Sequence, residues 1–76
     1  MNEGIKRRIA ILEEALQVCK EIEAKQTHLE LCLKEKEDTK DFETLPGIWD
    51  SRAEKTKQAI IELENKYVLL HAKLNA

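Results

Sequence analysis

The stretch that decides the fold is W-D-S-R-A-E-K-T-K-Q-A-I-I-E-L-E-N-K-Y-V-L-L-H-A-K-L, Trp49 to Leu74. Within it Trp49, Ala53, Thr56, Ile60, Leu63, Tyr67, Leu70 and Leu74 follow one another in alternating steps of four and three. A helix brings residues so spaced onto one stripe, and an unbroken alternation over nearly four heptads is the inner face of coiled-coil-like packing. The spacing predicts a helix over about 51–75.

Immediately upstream, Ser51 followed by Glu54 fits a capping box, in which the hydroxyl accepts from the Glu54 amide and the Glu54 carboxylate accepts from the Ser51 amide. Thr44 is the other possible cap, for a helix that starts earlier with Pro46 in its first turn, where a missing N–H costs nothing. Before that, charged residues give way to Pro46-Gly47, a pair that neither continues a helix nor favours a strand. The chain is expected to reverse over about 39–50. Phe42, Leu45, Ile48 and Trp49 are expected to close the end of the turn over Leu29 and Leu33, with Trp49, Ser51 and Glu54 as the turn residues of interest.

From Glu3 to Asp38 no Pro or Gly follows Gly4 and good helix formers dominate. Ile5, Leu12, Cys19, Gln26 and Leu33 recur every seven residues, with Ile9, Leu16, Ile22 and Leu29 between them. That pattern predicts a helix over about 3–38, capped by Asn2, with this stripe as its packing face. The basic triplet Lys6, Arg7 and Arg8 sits poorly against the helix dipole and reads as a solvated face. Two long apolar stripes joined by a short connection bury each other by folding back, so the expected fold is an all-α antiparallel two-helix hairpin forming one domain over 1–76.

Apolar residues remain after that seam is assigned. Ile11, Ala15 and Val18 in the first helix, and Ile61, Val68 and Leu69 in the second, fall outside it and come from the open end of the hairpin. They are the expected partner interface, and two hairpins packing into a four-helix bundle is the most economical way to cover them. A chain of 76 residues buries only roughly 60% of its unfolded surface, so a second subunit is a natural support.

The stretch Trp49-Asp50-Ser51-Arg52-Ala53-Glu54 and the helix-turn-helix outline around it resemble the small hairpins of the WXG type. Ser51 stands where that motif has its Gly. The resemblance implies a helical-hairpin dimer of the kind that accompanies secreted effectors.

Composition narrows the function classes. Charged residues make up 37% and the net charge is −2, with the signs interspersed, so no broad basic face is offered to nucleic acid or anionic lipid. No apolar run approaches the ~20 residues of a membrane span, and the N-terminus lacks the pattern of a secretory signal; a cytoplasmic location is expected. Cys19 and Cys32 are expected to be free thiols, because thirteen helical positions separate them by roughly 20 Å, beyond disulfide reach. His28 and Cys32, at i and i+4, offer two soft ligands on one face, but His71 and Cys19 are too far along the chain to complete a zinc site.

No catalytic constellation, phosphate loop, metal set or cofactor site can be identified, so the chain reads as non-enzymatic. The expected function is a protein–protein interaction module that pairs with itself and binds another protein, as an adaptor, a chaperone-like partner or an inhibitor. The alternative is a small-ligand or metal binder using Gln26, His28 and Cys32 inside the bundle.

Overall fold

The computed structural model describes residues 2–76. It consists of helix α1, Glu3–Asp38, and helix α2, Leu45–Leu74, packed along each other, with no strand among the described residues. The particle measures 61 × 15 × 12 Å, the shape of two helices side by side. Asn2 caps α1, its side-chain oxygen accepting from the Gly4 amide at 2.7 Å. Thr39 ends the helix, its amide donating to the Glu35 carbonyl while its hydroxyl donates to the same oxygen at 2.7 Å.

The connection is shorter than the sequence suggests. Residues 39–44 reverse the chain, and α2 begins at Thr44 rather than at Ser51. Pro46 and Gly47 therefore lie in the first turn of α2, where proline costs no hydrogen bond, and they are not the site of reversal. Gly47 has no positive φ, so nothing in the backbone requires glycine there. Ser51 stands inside the helix, and the capping box with Glu54 does not form. Thr44 makes no side-chain cap bond either, so α2 starts on the strength of proline's fixed φ and the Ile48 amide donating to the Thr44 carbonyl.

Three cross-helix contacts set the register. Lys36 Nζ lies 2.9 Å from an Asp50 carboxylate oxygen near the turn. Lys66 pairs with Glu14 at 3.6 Å. At the open end Arg8 donates to the Leu74 carbonyl at 3.5 Å. This last contact explains the basic triplet: the antiparallel fold brings the start of α1 beside the C-terminus of α2, whose unpaired carbonyls carry the negative end of a helix dipole.

The seam on α2 holds Ala53, Thr56, Ile60 and Leu70 buried, with Trp49, Leu63 and Leu74 half-buried and Tyr67 at its edge. On α1 the seam departs from the expected stripe in the open half and shares Ile22 and Leu29 with it. Ile11, Ala15, Val18 and Cys32 are buried, and Ile22 and Leu29 are half-buried. These positions also alternate by four and three once Lys25 is included, one residue out of step with Ile5, Ile9, Leu12, Leu16 and Cys19, all of which are exposed. In the open half the expected roles of the two α1 faces are thus exchanged, while Ile22 and Leu29 of the expected stripe keep their place in the seam. Ile11, Ala15 and Val18 form a core cluster with Leu70, extended by Ile22, Leu63 and Leu74, and are not free for a partner.

The physical reason lies in side-chain size. Ala15, Val18, Cys32, Ala53 and Thr56 are small and buried, and two helices meeting over small side chains can approach closely. Thr56 tolerates burial because its hydroxyl donates to the Arg52 carbonyl at 2.9 Å, and no buried side-chain polar atom among the described residues is left without a partner.

Candidate interaction surface

The candidate surface is built from residues that directly follow seam residues. Leu12 follows Ile11, Leu16 follows Ala15 and Cys19 follows Val18. On α2, Ile61 follows Ile60 and Val68 follows Tyr67. One residue is a rotation of about 100° around a helix, and equal rotations in the chain direction on two antiparallel helices lead to the same side of the pair. Ile5, Ile9, Leu12 and Leu16 on α1 therefore share one face of the hairpin with Ile61 and Val68 on α2.

All six are large, aliphatic and substantially exposed, from 42% for Ile9 to 63% for Val68. The register places them level with one another in the open half of the molecule. Carried on towards the turn, the same face is mostly polar: Glu23, Gln26 and Glu30 occupy it on α1 ahead of exposed Leu33, and Asp50, Glu54 and Lys57 on α2; in the open half Glu64 lies on it between Ile61 and Val68. Gln26 is exposed and belongs to this polar half, not to a core.

The opposite side of the hairpin is built from residues that precede seam residues. There Glu14, Gln17 and Glu21 face Glu62, Lys66 and Lys73, and the Glu14–Lys66 pair bridges the helices. Leu69, which precedes Leu70, belongs to this side. It is 65% exposed but stands apart from Ile61 and Val68, contrary to the expected grouping.

The two ends of the hairpin carry opposite charge. At the turn, Glu35, Glu37, Asp38, Asp41, Glu43 and Asp50 outnumber Lys36 and Lys40. Lys36 beside Asp50 holds that carboxyl below its ordinary value of 3.8, first by the hydrogen bond and then by the charge. At the open end, Arg7, Arg8 and Lys73 line a cleft of about 370 Å³ that also touches Asn2, Ile5 and Leu74, with no carboxylate side chain among the described residues of its wall.

Trp49, Ser51 and Glu54, expected at the turn, all lie within α2. Trp49 is half-buried, and the Arg52 guanidinium lies 4.8 Å from its ring centroid, a cation–π contact one turn into the helix. The expected plug is partly open: Leu29, Leu45 and Trp49 are half-covered, whereas Leu33, Phe42 and Ile48 are exposed. Glu54 pairs with Lys57 at 3.4 Å on the surface.

Cys32 Sγ lies 3.6 Å from His28 Nε2, a weak contact within one helical turn. Among the described residues no group of three or more His, Cys, Asp or Glu side chains converges as a metal site would require. No helix among those residues is long and apolar enough to cross a membrane.

Compared with family models, with curated proteins and with solved structures, the chain matches none of them at a significant level.

Proposed function

We propose that this protein is a non-enzymatic protein–protein interaction module that works as a homodimer, two hairpins meeting through the face of Ile5, Ile9, Leu12, Leu16, Ile61 and Val68 to build a four-helix bundle. The observation that carries this reading is the concentration of six exposed aliphatic side chains on one side of one half of the molecule, with Glu64 the one carboxylate on that face between Ile61 and Val68. Scattered apolar residues are normal on a surface, whereas a contiguous patch on a small domain marks an association site.

Magnitudes favour association of moderate strength. A half-exposed aliphatic side chain contributes about 1 kcal/mol on full burial, so six per copy supply roughly 12 kcal/mol to a dimer. Association itself costs about 4–15 kcal/mol, which places the pairing in the micromolar range or weaker. Dimerisation also offsets the limited core of the lone hairpin, whose seam is made largely of small residues.

The resemblance to WXG-type hairpins supports the same reading at the level of outline, a helical hairpin that dimerises, although Trp49 stands inside the second helix here. The bundle serves as an adaptor, chaperone-like partner or inhibitor, with its polar outer faces and its turn left to a second protein.

Sedimentation equilibrium across about 5–500 µM tests the proposal. A monomer–dimer equilibrium with its midpoint inside that window is expected. A strict monomer throughout would remove the reading.

A further inference from the structure

Resting on that homodimer, we infer that the second copy docks upside down: the hairpins pair antiparallel over their open halves alone, about a two-fold axis perpendicular to their length. Two features of the chain favour this arrangement over the opposite one, in which both copies point the same way.

The first is where the apolar face ends. In a parallel pair the whole faces would be opposed, so that Glu23, Glu30, Asp50 and Glu54 of one copy would lie at the level of the same four carboxylates of the other. Like charges brought together in a drying interface oppose association. In an antiparallel pair centred near residue 14 of α1, Ile9 to Cys19 overlap Ile9 to Cys19 of the second copy, and Ile5 lies level with its Glu23. Ile9 then lies level with the second copy's Cys19, and Leu12 with its Leu16. On α2 the same centre falls near Val68, so Ile61 to Asn75 overlaps the same stretch in reverse and brings Glu64 level with Ala72 rather than with a second carboxylate.

The second is the charge of the two ends. Lys6, Arg7, Arg8 and Lys73 crowd the open end, and the turn is acidic. Parallel pairing sets basic end beside basic end and acidic turn beside acidic turn. Antiparallel pairing over the open halves brings each basic end level with Glu21, Glu23, Glu62 and Glu64 of the second copy. Long-range attraction thereby selects the same arrangement as the apolar overlap.

This arrangement has a functional consequence. The polar turn halves project in opposite directions, which sets two identical tips, each bearing exposed Phe42 and Ile48 beside the Trp49–Arg52 pair, roughly 85 Å apart. The dimer is therefore a bivalent rod, suited to bridging two copies of a partner.

Electron–electron distance measurement on spin-labelled Ser51→Cys, in a Cys19→Ala, Cys32→Ala background, tests the pairing. Ser51 is exposed and lies in the half that the overlap leaves free. A separation of roughly 50–60 Å is expected from the helical rise, against less than about 35 Å for parallel hairpins. Sedimentation of the same labelled sample separates the two ways of failing. A dimer with the short distance overturns the antiparallel pairing and leaves the homodimer standing; a monomer at all concentrations overturns both. Should the triple variant lose its helicity, Ile9→Cys in the otherwise unchanged chain supplies the same decision. Mild oxidation should link the thiol introduced at position 9 of one copy to Cys19 of the other. A linkage between the two introduced thiols, or between the two Cys19 thiols, would overturn the proposal, as would no linkage at concentrations where the protein is dimeric.

Discussion

Lys36 Nζ stands 2.9 Å from a carboxylate oxygen of Asp50, and this one pair ties the last turns of α1 to the first turns of α2 across the reversal. Because Lys36 lowers the Asp50 pKa in the folded protein, the contribution of the pair is fully present above the unfolded value near 3.8 and is lost as pH falls through the lower folded value. Asp50→Asn should therefore melt below the parent at neutral pH, with the gap closing as pH drops below 3.8. The effect is small, since both partners are solvent-exposed. Melting curves of the two proteins from neutral to strongly acidic pH check it, and a gap that widens in acid contradicts the assignment.

Gly47 occupies the first turn of α2 with no positive φ, and a Cβ added there meets nothing within 4 Å. Gly47→Ala should stabilise the protein by about 0.5–1 kcal/mol by removing backbone freedom from the unfolded chain. Ser51→Ala, at an exposed position inside the helix, should be neutral or stabilising by up to about 0.5 kcal/mol. A loss of about 1 kcal/mol instead would mean that Ser51 caps the helix, and chemical denaturation distinguishes the outcomes.

The two α1 stripes should respond differently to substitution. Val18 is 2% exposed in the seam, so Val18→Ala should lower the unfolding free energy by about 1.5–2.5 kcal/mol through lost burial and a residual cavity. Leu16, at 57% exposure, lies on the other stripe. Leu16→Ala should weaken dimerisation in sedimentation and leave the helicity of concentrated samples unchanged.

Charging the pairing face is the sharper form of that experiment. Ile61→Glu together with Val68→Glu sets two carboxylates into the proposed dimer interface and leaves Ile60, Leu63 and Leu70 of the seam untouched. The double variant should sediment as a monomer at about 500 µM, with a melting temperature that no longer rises with concentration. Unchanged self-association would place the interface elsewhere.

The thiols offer a chemical readout of the same geometry. Cys32 is fully buried and Cys19 is exposed on the edge of the apolar face. One thiol per chain should react rapidly with a maleimide under native conditions, and both once the protein is denatured. Raising the protein concentration should slow the fast thiol as the dimer covers it. Freshly prepared protein should show no disulfide-linked species, because the proposed antiparallel pairing would set Cys19 beside Ile9.

The all-helical class and the pairing of two helices were legible in the spacing of the apolar residues, and the seam of α2 was legible residue by residue. Only one four-three stripe runs the length of α2, so periodicity has a single solution there. On α1 two such stripes lie one residue apart. Ile5, Ile9, Leu12 and Leu16 are the more apolar set, and reading hydrophobicity alone selects them for the core. In the open half Ile11, Ala15 and Val18 took the seam instead, because the small Ala15 and Val18 leave room for Leu63 and Leu70 of α2, which is a property of the pair and not of either helix, whereas Ile22 and Leu29 of the expected stripe stayed in the seam. The start of α2 was decided in a similar way. Both Thr44 and Ser51 present cap chemistry, and only the folded chain, with Leu45 and Trp49 half-covered against α1 and Asp50 tied to Lys36, holds the earlier turn in helix. Sequence periodicity thus set which elements form, while the tertiary structure decided which face each one buries and which it leaves for a partner.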